Sequence, residues 1–406
     1  MSAPQRPGYT RRATSSNFIP DLKSLQHPNG ASSNGEETIT TAEGKSVKIK
    51  NSNQNFSLTS DTSTYIPSSS TLNLIATLSY LPSNATPHPS TNGATQHDRL
   101  DLLYGAGISD MTIYSFTNLL KSLTIPYRPS QSFHRRLSPT IVEITTSLPE
   151  SLSIPDLRRH ELLHDFETAW NVVITLQPNT TSRRYPRLVV FDMDSTLIQH
   201  ETIDELAKFV GVEDKVKGIT ERAMRGELDF TASLNERCSL LTGVPSGVWD
   251  ELKKVVIFTE GARELTRALK RLGVKMAVVS GGFVPLAEWV KEQLGLDYAY
   301  ANQLVVSDDG TQLTGALTGP IINAEAKASL LQTLAAKHNV PLAHTLAVGD
   351  GANDLLMMAK AGLGVAFMAK PKVQEEAPAR INTGTLLDIL YLLGLEEAEV
   401  EELSRE

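Results

Sequence analysis

A single cysteine, Cys238, leaves no intrachain disulfide to be formed, so nothing in the chain demands an oxidising compartment. Long apolar runs are missing as well. The longest, around Leu386 to Leu395, is far short of the roughly 20 residues that span a bilayer, and Met1 to Pro20 lacks the apolar centre of a secretory signal. Basic charge is scarce: 38 Lys and Arg face 46 Asp and Glu, for a net charge of -8. That balance argues against a constitutive nucleic-acid binder, which needs clustered cations for the phosphate backbone. Arg6, Arg11 and Arg12 lie among Ser and Thr, a pattern read here as a tail and not as a mitochondrial presequence. The expectation is a cytoplasmic protein whose partner is a small molecule, with no nucleic acid and no membrane; a homodimer is left open.

A chain of 406 residues accommodates two ordinary domains plus unstructured sequence. From Met1 to Ser69 it is rich in Ser, Thr, Asn, Gly and Pro, with too few large apolar residues to offset the entropy of ordering; residues 1–69 read as a disordered leader. Thr71 to Tyr80 alternates like a strand, and Pro82 to His97 reads as a polar loop. A helix near Met111 to Leu123, a strand near Thr140 to Thr145, a helix near Ile154 to Thr168 and a strand near Trp170 to Leu176 suit a small α+β domain over 70–180. Pro178 to Pro186 reads as a linker.

Beyond it, Leu188 to Phe191, Lys275 to Val279 and Thr345 to Val348 are short apolar runs, each ending in a polar or glycine-rich loop, with amphipathic helices between. That alternation predicts an α/β fold with a parallel sheet, over 187–395, whose ligands sit at the carboxyl ends of the strands. A helical insertion at about 201–254 would cap that edge, Ala301 to Gly319 reads as a hairpin turning at Asp308-Asp309-Gly310, and the acidic end, 396–406, reads as a solvated tail.

Three clusters fall at the strand ends. Asp192-Met193-Asp194 presents two carboxylates at i and i+2, one available as nucleophile and the other as proton donor, and their repulsion calls for a hard cation such as Mg2+. Alone, the pair is better explained as a solvated turn or a helix cap. Ser280-Gly281-Gly282 offers a hydroxyl and close backbone donors to a phosphate, or merely a Gly-Gly turn. Gly349-Asp350-Gly351-Ala352-Asn353-Asp354 supplies further carboxylates, or a dipole-favoured helix start. Lys327, between the last two, could hold a phosphate or be solvated. Three such clusters and a lysine, in this order, are hard to explain as unrelated turns.

Together, Asp192-Met-Asp-Ser-Thr-Leu, Val279-Ser280-Gly-Gly, Lys327 and Gly349-Asp350-Gly-Ala-Asn-Asp354 resemble the motifs of the haloacid dehalogenase (HAD) superfamily, with its Rossmann-like core. The finer resemblance, through Glu201-Thr-Ile-Asp-Glu205, Ala223-Met224-x-Gly226, Phe230, Arg237 and Ala299-x-Ala-Asn302, is to the phosphoserine phosphatases of that superfamily, over roughly Arg187 to Arg380. It implies that Asp192 attacks phosphorus and that Asp194 is the acid and then the base. It further implies that Asp192, Asp350 and the backbone carbonyl of Asp194 hold Mg2+, that Ser280, Gly281 and Lys327 bind the phosphoryl group, and that Asn353 and Asp354 complete the site. In the cap, Glu201 would face the amino group and Arg237 the carboxylate of O-phosphoserine, under an apolar lid of Met224 and Phe230. The small N-terminal domain resembles the ACT-like, ferredoxin-like type more loosely. His200 and Cys238 are read as structural.

The activity so implied is hydrolysis of O-phospho-L-serine to L-serine and phosphate, the last step of L-serine biosynthesis. A phosphatase or phosphotransferase acting on another small phosphomonoester would share Asp192 and differ in the cap. A non-catalytic regulatory protein on the same fold would be expected to lack a motif carboxylate, and all four are present.

Overall fold

The computed structural model describes residues 37–40, 46–49, 71–81, 107–123, 132–149 and 153–406. Strands β1 (Glu37–Thr40) and β2 (Ser46–Ile49) pair antiparallel inside the stretch expected to be disordered; the rest of that leader and the polar loop Pro82 to His97 lie outside the described residues.

The N-terminal unit is built from β3 (Thr71–Tyr80), β4 (Phe133–Ser138), β5 (Ile141–Pro149) and β6 (Val172–Pro178), an antiparallel sheet in the order β4-β5-β3-β6. With helix Asp110–Leu123 after β3 and helices Ile154–Arg158 and Glu161–Trp170 after β5, the chain order is βαββαβ. Period-2 alternation along β3 sends Leu74, Ala76, Leu78 and Tyr80 to one core, where Phe116 and Phe166 of the helices meet at 5.2 Å between ring centroids. β4 was not expected. Its sequence Phe-His-Arg-Arg-Leu-Ser has exposed and half-exposed residues over most of its length, as an edge strand can, and so lacks an apolar signal.

The larger sheet has seven strands in the order β10-β9-β8-β7-β11-β12-β13. They are β7 (Leu188–Phe191), β8 (Lys275–Phe283), β9 (Tyr298–Val306), β10 (Leu313–Thr318), β11 (Thr345–Gly349), β12 (Leu363–Phe367) and β13 (Ala379–Ile381). Every pairing is parallel except β9 with β10, the expected hairpin. The central strands are apolar throughout because both faces are covered: Val189, Phe191, Met276, Val278 and Val348 enter one core, and Leu188, Val190, Ala277, Val279 and Ala347 the other. This is an α/β, Rossmann-like arrangement, and the strand order reverses at β7, so its carboxyl end opens onto a crevice.

Between β7 and β8 the chain leaves the sheet to form a cap of helices Thr202–Val210, Glu213–Met224, Phe230–Ser239 and Val248–Val255. Its two connecting segments are bound to each other, Gln199 N donating to the Ile257 carbonyl (3.0 Å) and Thr259 N to the Leu197 carbonyl (3.0 Å).

Two expectations are corrected. Pro178 to Pro186 is not a free linker: it forms a turn at Thr181–Arg184 whose Arg183 is buried and pairs with Glu143 of β5 at 2.7 Å. Burial opposes the Glu143 charge, but Arg183 and Arg135 outweigh it and hold that carboxyl below its usual range. The acidic end is not a solvated tail either. Glu397–Ser404 is a helix that buries Val400 and Leu403, and Arg267 and Arg271 donate to the carbonyls of Ser404, Glu402 and Leu403 at its C-terminal end, where cations are favoured. Among the described residues no helix is long and apolar enough to cross a membrane.

Candidate active site

The loops after β7 and β11, and the carboxyl-terminal part of β8 where its pairing with β9 is irregular, bring the three sequence clusters to one crevice. Asp192, directly after β7, is buried; its Oδ1 accepts from the Met193 amide (2.7 Å) and lies 2.8 Å from Lys327 Nζ. Lys327 comes from helix Ala324–Lys337, is fully buried, and also reaches Asp354 Oδ1 at 2.7 Å. Burial disfavours the ammonium charge, but Asp192 and Asp354 more than compensate, so its pKa is raised and the charge is retained. The other oxygen of Asp354 accepts from the Gly351 amide at 3.1 Å. Gly349 makes this fit possible, because a Cβ there would fall inside the Asp354 carboxylate.

Carboxylate oxygens of Asp192, Asp350 and Asp354 lie within 4.8 Å of one another, a hard-oxygen group that could hold a metal ion. Without a cation the crowding is unfavourable: burial, then the charges of Asp192 and Glu201, push Asp350 up to about 7 against the 3.0 Å hydrogen bond from Thr196 Oγ1. The Asp194 carboxylate is not in this group. It turns toward the cap, where Thr202, the first residue of helix Thr202–Val210, donates from its amide (3.0 Å) and its hydroxyl (2.5 Å). Burial and the nearby Glu201 hold Asp194 well above the usual carboxylate range, the bonds from Thr202 opposing. A carboxyl so biased is suited to carry a proton at neutral pH.

Ser280 is fully buried and its Oγ accepts from the Gly282 amide at 2.8 Å. Gly281 lies under the half-buried ring of Phe230, 3.3 Å from where a Cβ would stand. Asn353 is half-buried beside Gly351. In the cap, Glu201 Oε1 accepts from Ser195 Oγ (2.7 Å), and Ser195 adopts a left-handed backbone, φ 54°, which few non-glycine residues do outside constrained sites. Arg237 Nε donates to the Ser233 carbonyl of its own helix (3.3 Å), and among the described residues its guanidinium makes no ion pair within 4 Å. Met224 ends helix Glu213–Met224, and its side chain lies outside the described residues. His200 Nδ1 faces the Ile257 amide at 3.4 Å, and Cys238 is buried, its thiol pushed up to about 12 by that burial, so neither is poised for chemistry.

The hydroxyl residues Ser195, Thr196 and Thr202 carry hydrogen bonds that the sequence did not assign. Their signal was adjacency: each lies inside or next to a stretch already singled out. Asn302, part of the quoted resemblance, had no role; a carboxamide within the β-prone run Tyr298–Val306, followed by a second at Gln303, is the mark that could have drawn attention to it.

A mainly parallel sheet with an inserted cap, a buried aspartate on a lysine at the carboxyl edge and a metal-competent carboxylate group place the protein among hydrolases of the α/β class with an acidic site at the sheet edge. A family model for haloacid dehalogenase-like hydrolases matches residues 186–362. The "probable phosphoserine phosphatase" of Schizosaccharomyces pombe is 52% identical over 217 residues, 53% of this chain and 73% of that protein. The phosphoserine phosphatase of Saccharomyces cerevisiae is 42% identical over 267 residues, 66% of this chain and 86% of its own. Among solved structures, a probable phosphoserine phosphatase from Vibrio cholerae, in unliganded form, superposes with a TM-score of 0.57 at 33% identity, covering 82% of this chain and 90% of that one. The chain belongs to the haloacid dehalogenase-like hydrolases and, within them, to the phosphoserine phosphatase family.

Proposed function

We propose that the protein hydrolyses O-phospho-L-serine to L-serine and phosphate, the last step of L-serine biosynthesis, as a Mg2+-dependent cytoplasmic enzyme. The observation that carries the chemistry is the buried Lys327 ammonium, set between Asp192 and Asp354 beside the three-carboxylate group. Asp192 Oδ attacks phosphorus and the P–O bond to the seryl oxygen breaks, while protonated Asp194 gives its proton to that oxygen. Water then attacks the aspartyl phosphate, the Asp194 carboxylate takes a proton from it, and the bond from phosphorus to Asp192 breaks. Lys327 and Ser280, with Gly281 and Asn353, bind the phosphoryl oxygens. The carboxylates of Asp192 and Asp350 and the Asp194 carbonyl would hold Mg2+, whose charge would offset that of the phosphoryl group.

Substrate choice falls to the cap. A zwitterionic amino acid needs one anion and one cation; Glu201 serves the ammonium and Arg237 the carboxylate, with Phe230 and Met224 as the apolar cover. The βαββαβ unit over 70–180 is read as an ACT-like, ferredoxin-like domain that binds an amino acid. A panel of phosphomonoesters tests the assignment. Phosphate release should require a divalent metal and be fastest for O-phospho-L-serine; equal rates on esters lacking an amino or carboxylate group would count against it.

A further inference from the structure

Asn302 stands in β9, is 2% exposed, and uses both ends of its side-chain amide. Its Nδ2 donates to the Gly281 carbonyl at 2.8 Å, and its Oδ1 accepts from the Ile322 amide at 2.9 Å. The two partners fix which way the amide faces, since a carbonyl can only accept and an N–H only donate. We propose that Asn302 is a positioning residue for the phosphate-binding donors, acting through the Gly281 peptide and the chain before Lys327 without touching substrate. The proposal rests on the phosphatase reading above.

The parallel ladder between β8 and β9 is interrupted between Val279 and Phe283, where the phosphate-binding turn departs from the sheet. A strand that leaves its ladder strands its buried backbone groups. Asn302, opposite Phe283 in the register, supplies the missing donor to the Gly281 carbonyl. That bond fixes one side of the peptide joining Gly281 to Gly282, and the N–H on its other side then meets Ser280 Oγ at 2.8 Å. A hydroxyl has one proton and two lone pairs. With a lone pair engaged by Gly282, the Ser280 proton is left to donate to a phosphoryl oxygen.

At its other end Asn302 holds residue 322, next to Asn323, whose side chain caps the helix carrying Lys327 by accepting from the Ala326 amide at 2.9 Å. One side chain therefore sets Ser280 relative to Lys327, two donors that reach the crevice from different elements. A carboxamide of this length offers a donor and an acceptor in one plane without having to take up a proton, as an aspartate would.

The test compares Asn302→Ala, which removes both bonds and the side-chain volume, with Asn302→Leu, nearly isosteric, which removes both bonds and keeps the volume. KM and kcat for O-phospho-L-serine, competitive inhibition by inorganic phosphate, and the rise in Tm on adding Mg2+ are measured for each. Both variants should weaken inhibition by phosphate about tenfold or more, with kcat falling in step and the Mg2+-induced rise in Tm retained. If the Ala variant does not fold, the Leu variant decides. Inhibition by phosphate within about twofold of wild type overturns the proposal, and so does loss of the Mg2+ response together with phosphate binding, which would mark general collapse of the site. Should wild type release no phosphate from phosphoserine, the substrate reading fails instead, and phosphate binding read from Tm still judges Asn302.

Discussion

The Lys327 ammonium lies 2.8 Å from Asp192 Oδ1, and neither group has appreciable contact with solvent. A buried carboxylate is tolerated only with a partner, and this partner also reaches Asp354, so one cation compensates two anions while remaining placed to meet a phosphoryl group. Replacing Lys327 with Met should lower kcat by about 100-fold to 1,000-fold, as for other preorganised charge stabilisers. Urea unfolding of the metal-free variant should also show a loss of about 3 kcal/mol, the scale for stranding a buried charge. Unchanged stability with unchanged kcat would remove Lys327 from the site.

A second prediction concerns pH. Burial and neighbouring charge push Asp350 up to about 7, above its ordinary 3.8, so the folded, metal-free protein keeps a proton that the unfolded chain has already released. That contribution to stability is fully present below about pH 4 and is lost as pH rises toward 7. Metal binding must displace the same proton, so the rise in Tm on adding Mg2+ should grow between about pH 5 and 8. Asp350→Asn should remove the Asp350 share of the stability trend, leaving that of Asp354 and Asp388, which burial pushes up to about 8 and about 6, and should weaken the metal response; a metal response independent of pH in wild type would contradict the account.

Cap specificity is tested at Arg237. Arg237→Ala should reduce kcat/KM for O-phospho-L-serine by about 100-fold, the scale of a lost charge-assisted pair, while a phosphate ester without a carboxylate should change little. Equal losses on both substrates would assign Arg237 to the fold of the cap.

At the junction of the two sheets, Arg183 and Glu143 are both nearly inaccessible and 2.7 Å apart. Arg183→Ala leaves Glu143 with Arg135 alone and should cost about 3 kcal/mol in denaturant unfolding; the double change to well-packed apolar residues should cost much less. Additive losses would mean the pair is not coupled.

The legible parts of this molecule were those in which one physical cause acts on contiguous residues. β7 announced itself because both of its faces are buried, and the clusters at Asp192, Ser280 and Asp350 because each follows such an apolar run; the strand that carries Ser280 continues through its cluster to Phe283. What the sequence hid were features decided by distant partners. Arg183 sits in a stretch rich in turn residues, and only the presence of Glu143 explains its burial. The helix Glu397–Ser404 is acidic enough to pass for a tail until Arg267 and Arg271 are seen at its end. Thr202 looks like an ordinary first helical residue, and its hold on Asp194 depends on how the cap returns to the loop after β7.

The central claim is that the Asp192 side chain attacks phosphorus. Mg2+-dependent phosphate release from O-phospho-L-serine, compared between wild type and Asp192→Asn at matched folding, tests it most directly. The account predicts activity in the wild type and a loss of at least about 1,000-fold in the variant, in which the nucleophilic carboxylate is gone. Asp192→Asn retaining a substantial fraction of wild-type turnover would contradict it.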